Sequence, residues 1–512
     1  MKKLDILFID PPMKRYNDET FLYGNLYQSD DTNSKVFNPG LLSIASYVLE
    51  HGYTVEVIHI RDEDKIEELL LEASQNMNPA TIAVSCSYMH TYLPTIEIAK
   101  QARKLFPQAL LVAGGQHIGD IAGFALRETE FDIIIQGEGE SVVKKLLEYK
   151  QGLLALDEIG NIYIHDEFAK CNQVIDSKNF TRFEICDFSS NSSQYRYVPQ
   201  DLLKSKNVEP LVPLDDMPFL HYELYKDYIE YPPYLEESRG CYGNCKYCVS
   251  ATCNTYRYKT ARRFLDELEY VVNIYGKDIV YPFTAANLGV NVDNTIKIFE
   301  GIIEKFGSLK WVAEFRLDLN WEKYIDLMYK SGCVSYGIGL ESANEDILKI
   351  MKKTANPSSY LKNAEKLIEK VRTFKDSYLH LNLMFYIGEN PKSMADNMGF
   401  ISKYFEDISI VHYSPLILYS GTKAWNEFDQ YHEKYGATIV KTPIYDAMHA
   451  YPVNVSRLYT YKDGCHFSRI IEKMFIETEG YMVNHETRVT RTKSGEITDD
   501  AKKAYIKRML DN

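Results

Sequence analysis

No apolar run in the chain is long enough to span a membrane, so no transmembrane helix is expected. Basic residues are in deficit: 58 lysines and arginines stand against 72 aspartates and glutamates, a formal net charge of -14. That balance argues against a broad nucleic-acid or anionic-membrane surface and leaves a small or peptide-like substrate as the simpler expectation. No secretory leader is expected either, because Asp5 interrupts the first apolar residues and Asp10-Pro11-Pro12 follows too early. The nine cysteines are odd in number, so a disulfide framework is not expected and a reducing cytoplasm is. Disorder has no compositional basis, since 45% of residues are hydrophobic and 25% charged. The expectation is a soluble globular protein of about two to four domains.

What the chain does have is concentrated in one loop. The run Arg239-Gly240-Cys241-Tyr242-Gly243-Asn244-Cys245-Lys246-Tyr247-Cys248 spaces three cysteines as C-x3-C-x2-C. Three thiolates on one short loop can hold three irons of a four-iron cluster and leave the fourth iron open for a substrate. The alternative is a structural zinc loop with Cys253 as the fourth thiolate. Zinc sites, however, usually pair two short C-x2-C knuckles, and no second knuckle is present. Tyr247 offers an aromatic face for a planar base, and Gly240 and Gly243 let the loop wrap closely. Cys86, Cys171, Cys186, Cys333 and Cys465 are scattered and are expected to be inert thiols.

The loop resembles the signature of the radical S-adenosylmethionine enzymes. The resemblance implies a 4Fe-4S cluster on Cys241, Cys245 and Cys248, with the amino and carboxylate groups of S-adenosylmethionine on the open iron. One electron then breaks the sulfonium to give a 5'-deoxyadenosyl radical. It also implies that Tyr247 packs near the adenine, and that an electron donor such as flavodoxin or ferredoxin is a partner.

Strand-length apolar runs alternate with amphipathic helical stretches from the start, the pattern of a parallel α/β fold. Leu4 to Ile9, Thr54 to Ile60, Thr81 to Ser85, Ala109 to Val112 and Asp132 to Ile135 read as five strands. The stripe Leu41, Leu42, Ile44, Ala45, Val48, Leu49 reads as a helix closed by Gly52. Residues 1–150 are thus expected to form a doubly wound, flavodoxin-like domain. Its ligand should lie at the carboxyl ends of the strands, near Asp10-Pro11-Pro12, Ser85-Cys86-Ser87, Gly114-Gly115-Gln116-His117 and Gln136-Gly137-Glu138-Gly139-Glu140. With Asn38-Pro39-Gly40-Leu41-Leu42, this arrangement resembles the cobalamin-binding domain that precedes many radical S-adenosylmethionine enzymes. The resemblance implies cobalamin held by Ser85, Ser87, Gly114, Gly115, Gln116, His117, Gly137 and Glu138. No Asp-x-His-x-x-Gly occurs in this region, so cobalt is expected to lack a histidine ligand, with His117 bonding backbone or the corrin rim. A relic domain that no longer holds cofactor is the competing reading.

Residues 151–230 read as a connector with a ribbon near Ile159 to Ile164, a loop at Ser189 to Ser193, and Leu214-Asp215-Asp216-Met217-Pro218-Phe219 leading onward. In residues 231–436 alternation resumes, with strands at Leu235 to Gly240, Ile279 to Phe283, Trp311 to Leu317, Val334 to Leu340, His380 to Ile387 and Ile408 to Leu418. Helices are expected at Phe264 to Tyr275, Ile296 to Phe306, Tyr324 to Lys330 and Leu361 to Val371. Six strands suit a partial (β/α)6 barrel, the fold the resemblance implies, with active residues at strand ends.

Those ends carry Thr284-Ala285-Ala286-Asn287, where the acidic residue usual in the family is missing, and Glu314, Arg316 and Asp318 on one face. Arg316 is a candidate partner for the carboxylate of S-adenosylmethionine, or else part of an ion network inside the barrel. Gly337-Ile338-Gly339-Leu340-Glu341-Ser342 resembles the family's Gly-x-Glu-Ser phrase, which implies that Glu341 faces the cofactor pocket. Gly388-Glu389-Asn390-Pro391 and Ser420-Gly421-Thr422 resemble the family's turns after the fifth and sixth strands. The extension 437–512, with Asp463-Gly464-Cys465-His466 and Tyr445, Tyr451, Tyr459 and Tyr461, is expected either to close the barrel mouth over substrate or to supply ordinary core and surface.

The whole implies a cobalamin-dependent radical S-adenosylmethionine methyltransferase acting on an unactivated carbon of a small molecule, a natural product among the options. The adenosyl radical would take a hydrogen atom, the carbon radical would capture methyl from methylcobalamin, and a second S-adenosylmethionine would restore the methyl group. The alternatives are a non-methylating rearrangement, ring contraction, cyclisation or oxidation, or a cobalamin or metal sensor that turns nothing over.

Overall fold

The structure is a computed structural model that describes residues 1–14, 37–174, 177–182, 185–188, 195–198, 202–252, 255–285, 287–307 and 309–479. Cys253, the loop Ser189 to Ser193, Ala286 and the tail from residue 480 lie outside the described residues. Two compact units divide the chain. One holds the described residues up to Tyr231 together with Thr442–Ala450, and the other holds Pro232–Lys441 and the described residues from Tyr451 on.

The first unit is built on an eight-stranded sheet in the order Val55–His59, Lys2–Asp10, Met77–Ser85, Leu110–Gly114, Ile133–Ile135, Ile162–His165, Leu202–Ser205, Phe180–Arg182. Its first five strands are parallel, the doubly wound flavodoxin-like arrangement. Leu4, Ile6, Leu7, Phe8 and Ile9 are all buried, as a central parallel strand covered on both faces requires. The helix Pro39–Glu50 starts where the sequence places it, because the Asn38 side chain accepts the Leu41 N–H and Pro39 occupies the first turn. In the region read as a connector, three strands extend the same sheet antiparallel. Their short apolar patches, Phe180, Leu202 and Leu203 among them, find a buried place only once that edge exists.

The second unit is built on a seven-stranded sheet in the order Arg257–Tyr258, Leu235–Arg239, Tyr281–Ala285, Trp311–Phe315, Cys333–Glu341, Tyr378–Phe385, Ile410–Pro415. The last six are parallel and correspond to the six expected strands, except that the expected Ile408 to Leu418 breaks after Pro415 and Ile417–Tyr419 belongs to a separate sheet. Arg257–Tyr258 adds an antiparallel edge. Among the described residues no pairing joins the two edges, so the sheet is an open, partial barrel. The helices Ala261–Tyr275, Val292–Phe306, Pro357–Val371 and Pro391–Lys403 are capped by Thr260, Asn291, Asn356 and Asn390.

One sheet face is sealed by helices. Trp311 stacks on Phe283 at 4.5 Å and on Phe299 of Val292–Phe306 at 5.2 Å. Residues one step out of phase, Glu314 and Arg316, stand on the opposite face. Helix Tyr461–Glu479 packs on the strand Ile410–Pro415. It comes close because Gly464 has no side chain: a Cβ there would sit 2.5 Å from the Phe385 ring. Gly464 and Cys465 thus serve helix packing, and Tyr445, Tyr451 and Tyr461 are core residues. No helix among the described residues is long and apolar enough to cross a membrane.

Candidate active site

The cysteine loop follows the strand Leu235–Arg239 and turns sharply at Gly240, whose φ is +77°. A Cβ at Gly240 would lie 1.7 Å from the Thr255 carbonyl oxygen, so only glycine lets the loop fold back. The loop is then pinned through Lys246, which donates its N–H to Met351 O at 2.9 Å and accepts the Ala424 N–H at 2.8 Å. Lys246 Nζ also pairs with Glu427 at 2.6 Å.

Donors point at the thiols. The Gly243 N–H donates to Cys241 Sγ and Arg316 Nη1 donates to Cys245 Sγ, each at 3.2 Å, while Asn287 Nδ2 lies 3.8 Å from Cys241 Sγ. N–H bonds of this kind stabilise thiolates and the sulfur of iron–sulfur clusters, so the donor set fits the cluster that the spacing implies. Among the described residues no three histidines, cysteines or carboxylates are grouped to hold a single metal ion. In sequence Asn287 is one polar residue of a strand-end loop marked only by its missing acid.

Behind the loop lies an ion network. Arg316 is held by both oxygens of Asp318, at 2.8 and 2.7 Å, and also donates to the Lys353 carbonyl. Lys353 Nζ meets Glu341 Oε1 at 3.0 Å, with both side chains largely buried. Burial is the largest effect on Lys353 and opposes its charge, but the Glu341 carboxylate together with Tyr360 and Cys245 outweighs it and holds the ammonium above its usual range. Burial and then Glu341 push the Tyr247 phenol well above its usual range. The structure thus gathers Cys245, Tyr247, Arg316 and Glu341, and adds Lys353, for which the sequence carries no local signal. Glu314 stands lower on the same face, its side chain over Gly337, where a Cβ would lie 2.5 Å from Glu314 Cγ. Glu389 is buried beside Ser393, and burial raises its carboxyl to about 7.

At the strand ends of the first unit, Asn38 Nδ2 donates to Ser85 Oγ at 2.9 Å and to Asp10 Oδ1 at 3.0 Å. Tyr225 OH donates to Asp10 Oδ2 at 3.0 Å, and burial raises the Asp10 carboxyl to about 7. Ser85 and Ser87 hydroxyls are 3.5 Å apart. Gly115, at φ +122°, brings the third and fourth strand ends together, since a Cβ there would lie 2.6 Å from the Cys86 carbonyl and 2.9 Å from the Ser87 nitrogen. Beside Gly137, at φ +91°, a Cβ would meet nothing closer than Asn161 Nδ2 at 3.7 Å. Gln116 is exposed and Glu138 half-buried. Backbone closeness at one glycine and open space at the other fit a bulky ligand lying over these ends.

His117 is buried and turned against protein. Its ring meets Tyr92 edge-on at 5.7 Å, the Met448 backbone bonds it, and burial, then His449, hold the imidazole down at about 3. His449, from the segment Thr442–Ala450, pairs with Glu128 at 2.9 Å and stacks on Phe124 at 4.0 Å. Nothing in the local sequence signals this partner, more than 300 residues away along the chain.

Comparison with known proteins adds an independent line. Residues 31–147 match the B12 binding domain and residues 236–401 match the Radical SAM superfamily. An uncharacterised methyltransferase of Pyrococcus horikoshii is 24% identical over 393 residues, 75% of this chain and 77% of that protein. The cytidylyl-2-hydroxyethylphosphonate methyltransferase of Streptomyces wedmorensis is 24% identical over 402 residues, 70% of each. Among solved structures, the radical S-adenosylmethionine methyltransferase TsrM of Kitasatospora setae, with cobalamin and a 4Fe-4S cluster bound, superposes with a TM-score of 0.64 at 14% identity. The match covers 86% of this chain and 81% of TsrM. At that identity the likeness shows a shared fold.

Proposed function

We propose, from the premise that the chain is a cobalamin-dependent radical S-adenosylmethionine enzyme, that it transfers a methyl group to an unactivated carbon of a small molecule. The observation that carries this reading is the cysteine loop, with its sulfurs bonded by Gly243 and Arg316, in a chain that also carries a B12 binding domain. Methyltransferases among the relatives support methyl transfer over the other radical outcomes. When bound, the cluster with S-adenosylmethionine supplies an adenosyl radical, and cobalamin supplies the methyl group.

In this reading Cys241, Cys245 and Cys248 hold the cluster. Glu341, Lys353 and Arg316 line the place for S-adenosylmethionine, with Tyr247 against the adenine. Glu314, lower on the same face over Gly337, completes the proposed cofactor-binding set. Ser85, Ser87, Gly114, Gly115, Gln116, Gly137 and Glu138 hold cobalamin, and His117, engaged with Tyr92 and Met448, stays off the cobalt. Bound cobalt(II) should therefore show no nitrogen superhyperfine splitting from a protein imidazole in electron paramagnetic resonance. The proposed division is a cobalamin-binding domain over 1–150, a connector to 230, the radical domain over 231–436 and an extension to 512. Flavodoxin or ferredoxin in the cytoplasm would supply the electrons.

The test is anaerobic turnover of the reconstituted, cobalamin-loaded protein with methyl-labelled S-adenosylmethionine and candidate small molecules. Label should enter a carbon-methylated product with the native loop and not with Cys245→Ala. Product formed without label would contradict the reading.

A further inference from the structure

Glu341 ends its strand with φ +64°, a left-handed backbone that a residue with a long side chain adopts only where its surroundings impose it. The imposing groups sit on another element. Asn397, buried on the helix Pro391–Lys403, accepts the Ser342 Oγ–H at 3.2 Å and the Ala343 N–H at 2.7 Å on one oxygen. The backbone N–H can only donate, which fixes which Asn397 atom faces the turn. One residue on, Asn344 Nδ2 donates to Asp396 Oδ2 at 2.6 Å, and the Asn344 N–H returns to Ser342 Oγ at 3.1 Å. Three successive residues after Glu341 are thus tied to two successive residues of one helix. That helix is itself fixed by Pro391 and by the Asn390–Ser393 capping box.

The geometry has a consequence for charge. Relaxing Glu341 to an ordinary extended backbone would swing its carboxylate away from Lys353, now 3.0 Å distant, and leave a buried ammonium without that partner. Lys353 in turn holds Arg316 through its carbonyl, and Arg316 reaches Cys245. Every link from Asn397 to the cysteine loop is a direct contact.

We propose that Asn397 is a positioning residue: its carboxamide fixes the Ser342–Ala343 turn and so holds the Glu341 carboxylate in the place assigned above to S-adenosylmethionine. The inference rests on that assignment. It differs from a packing role because its whole effect on ligand binding passes through Glu341.

The experiment is a double-mutant cycle on the full-length protein, reconstituted anaerobically with iron and sulfide. The dissociation constant for radiolabelled S-adenosylmethionine is read by equilibrium dialysis. Asn397→Leu keeps the branched four-atom side chain and removes the acceptor, and Glu341→Ala removes the positioned group. Each single variant should weaken binding about tenfold or more, and the double variant should bind no more weakly than Glu341→Ala alone. Binding by Asn397→Leu within about twofold of the native protein, or losses that multiply in the double variant, would overturn the inference. If Asn397→Leu does not fold, Ser342→Ala, which deletes one of the two bonds, enters the same cycle under the same criterion. Native protein that holds its cluster but does not bind S-adenosylmethionine would count against the site assignment itself, a result distinct from additivity.

Discussion

The Arg316 guanidinium bonds the Cys245 sulfur at 3.2 Å while Asp318 fixes its other edge. A cation and an N–H donor beside a cysteine ligand favour the electron-rich form of a cluster, because the added negative charge is partly offset where it collects. Arg316→Met should therefore retain iron and shift the cluster midpoint to more negative potential in a titration followed by electron paramagnetic resonance. An unchanged midpoint with full iron content would show that Arg316 does not act on the cluster.

The contact between Gly240 and the Thr255 carbonyl allows no Cβ. Gly240→Ala should lose most of its iron after reconstitution while still binding cobalamin, since the change is confined to the second unit. Iron content equal to the native protein would mean that the loop tolerates another path.

Cys241, Cys245 and Cys248 should each be indispensable. Alanine at any of them should abolish 5'-deoxyadenosine formation, whereas Cys253→Ala should keep cluster and cleavage. Loss of metal in Cys253→Ala, with zinc found in the native protein, would restore the zinc reading.

His117 is held down at about 3, whereas an unfolded histidine protonates near 6.5. Between these values the unfolded chain binds a proton that the folded chain refuses, so this residue's share of stability is complete above about pH 6.5 and falls away as pH drops below it. His117→Gln removes that liability. The thermal midpoint of the variant should gain on the native protein between about pH 7.5 and 5. A constant gap would mean that His117 is protonated in the fold.

Much of this architecture is legible in sequence because it is local. Strands such as Leu4 to Ile9 and Trp311 to Leu317 announce themselves by strand-length, mostly apolar stretches, and the helix Pro39–Glu50 by its apolar stripe, whereas the start of Pro357–Val371 lies four residues before the expected Leu361. The cysteine loop is legible because cluster ligation forces a fixed spacing, and Glu341 because its phrase resembles a known one. Lys353, Asn287, Asn397 and His449 are illegible for the opposite reason. Each is an ordinary polar residue locally and acquires its meaning from a partner on another element, as Lys353 does from Glu341. The strands Phe180–Arg182 and Leu202–Ser205 are missed on the same ground, since short edge strands have little periodicity of their own and depend on the sheet they join.

Methyl transfer by the proposed route consumes one S-adenosylmethionine as radical source and a second as methyl donor. The measurement that bears most directly on the account counts 5'-deoxyadenosine against S-adenosylhomocysteine during anaerobic turnover of the native enzyme with its substrate. The two should accumulate in about equal amounts, each tracking methylated product. If 5'-deoxyadenosine tracks product while S-adenosylhomocysteine stays at background, the chain runs a radical rearrangement, cyclisation or oxidation, and the methyltransferase account is wrong.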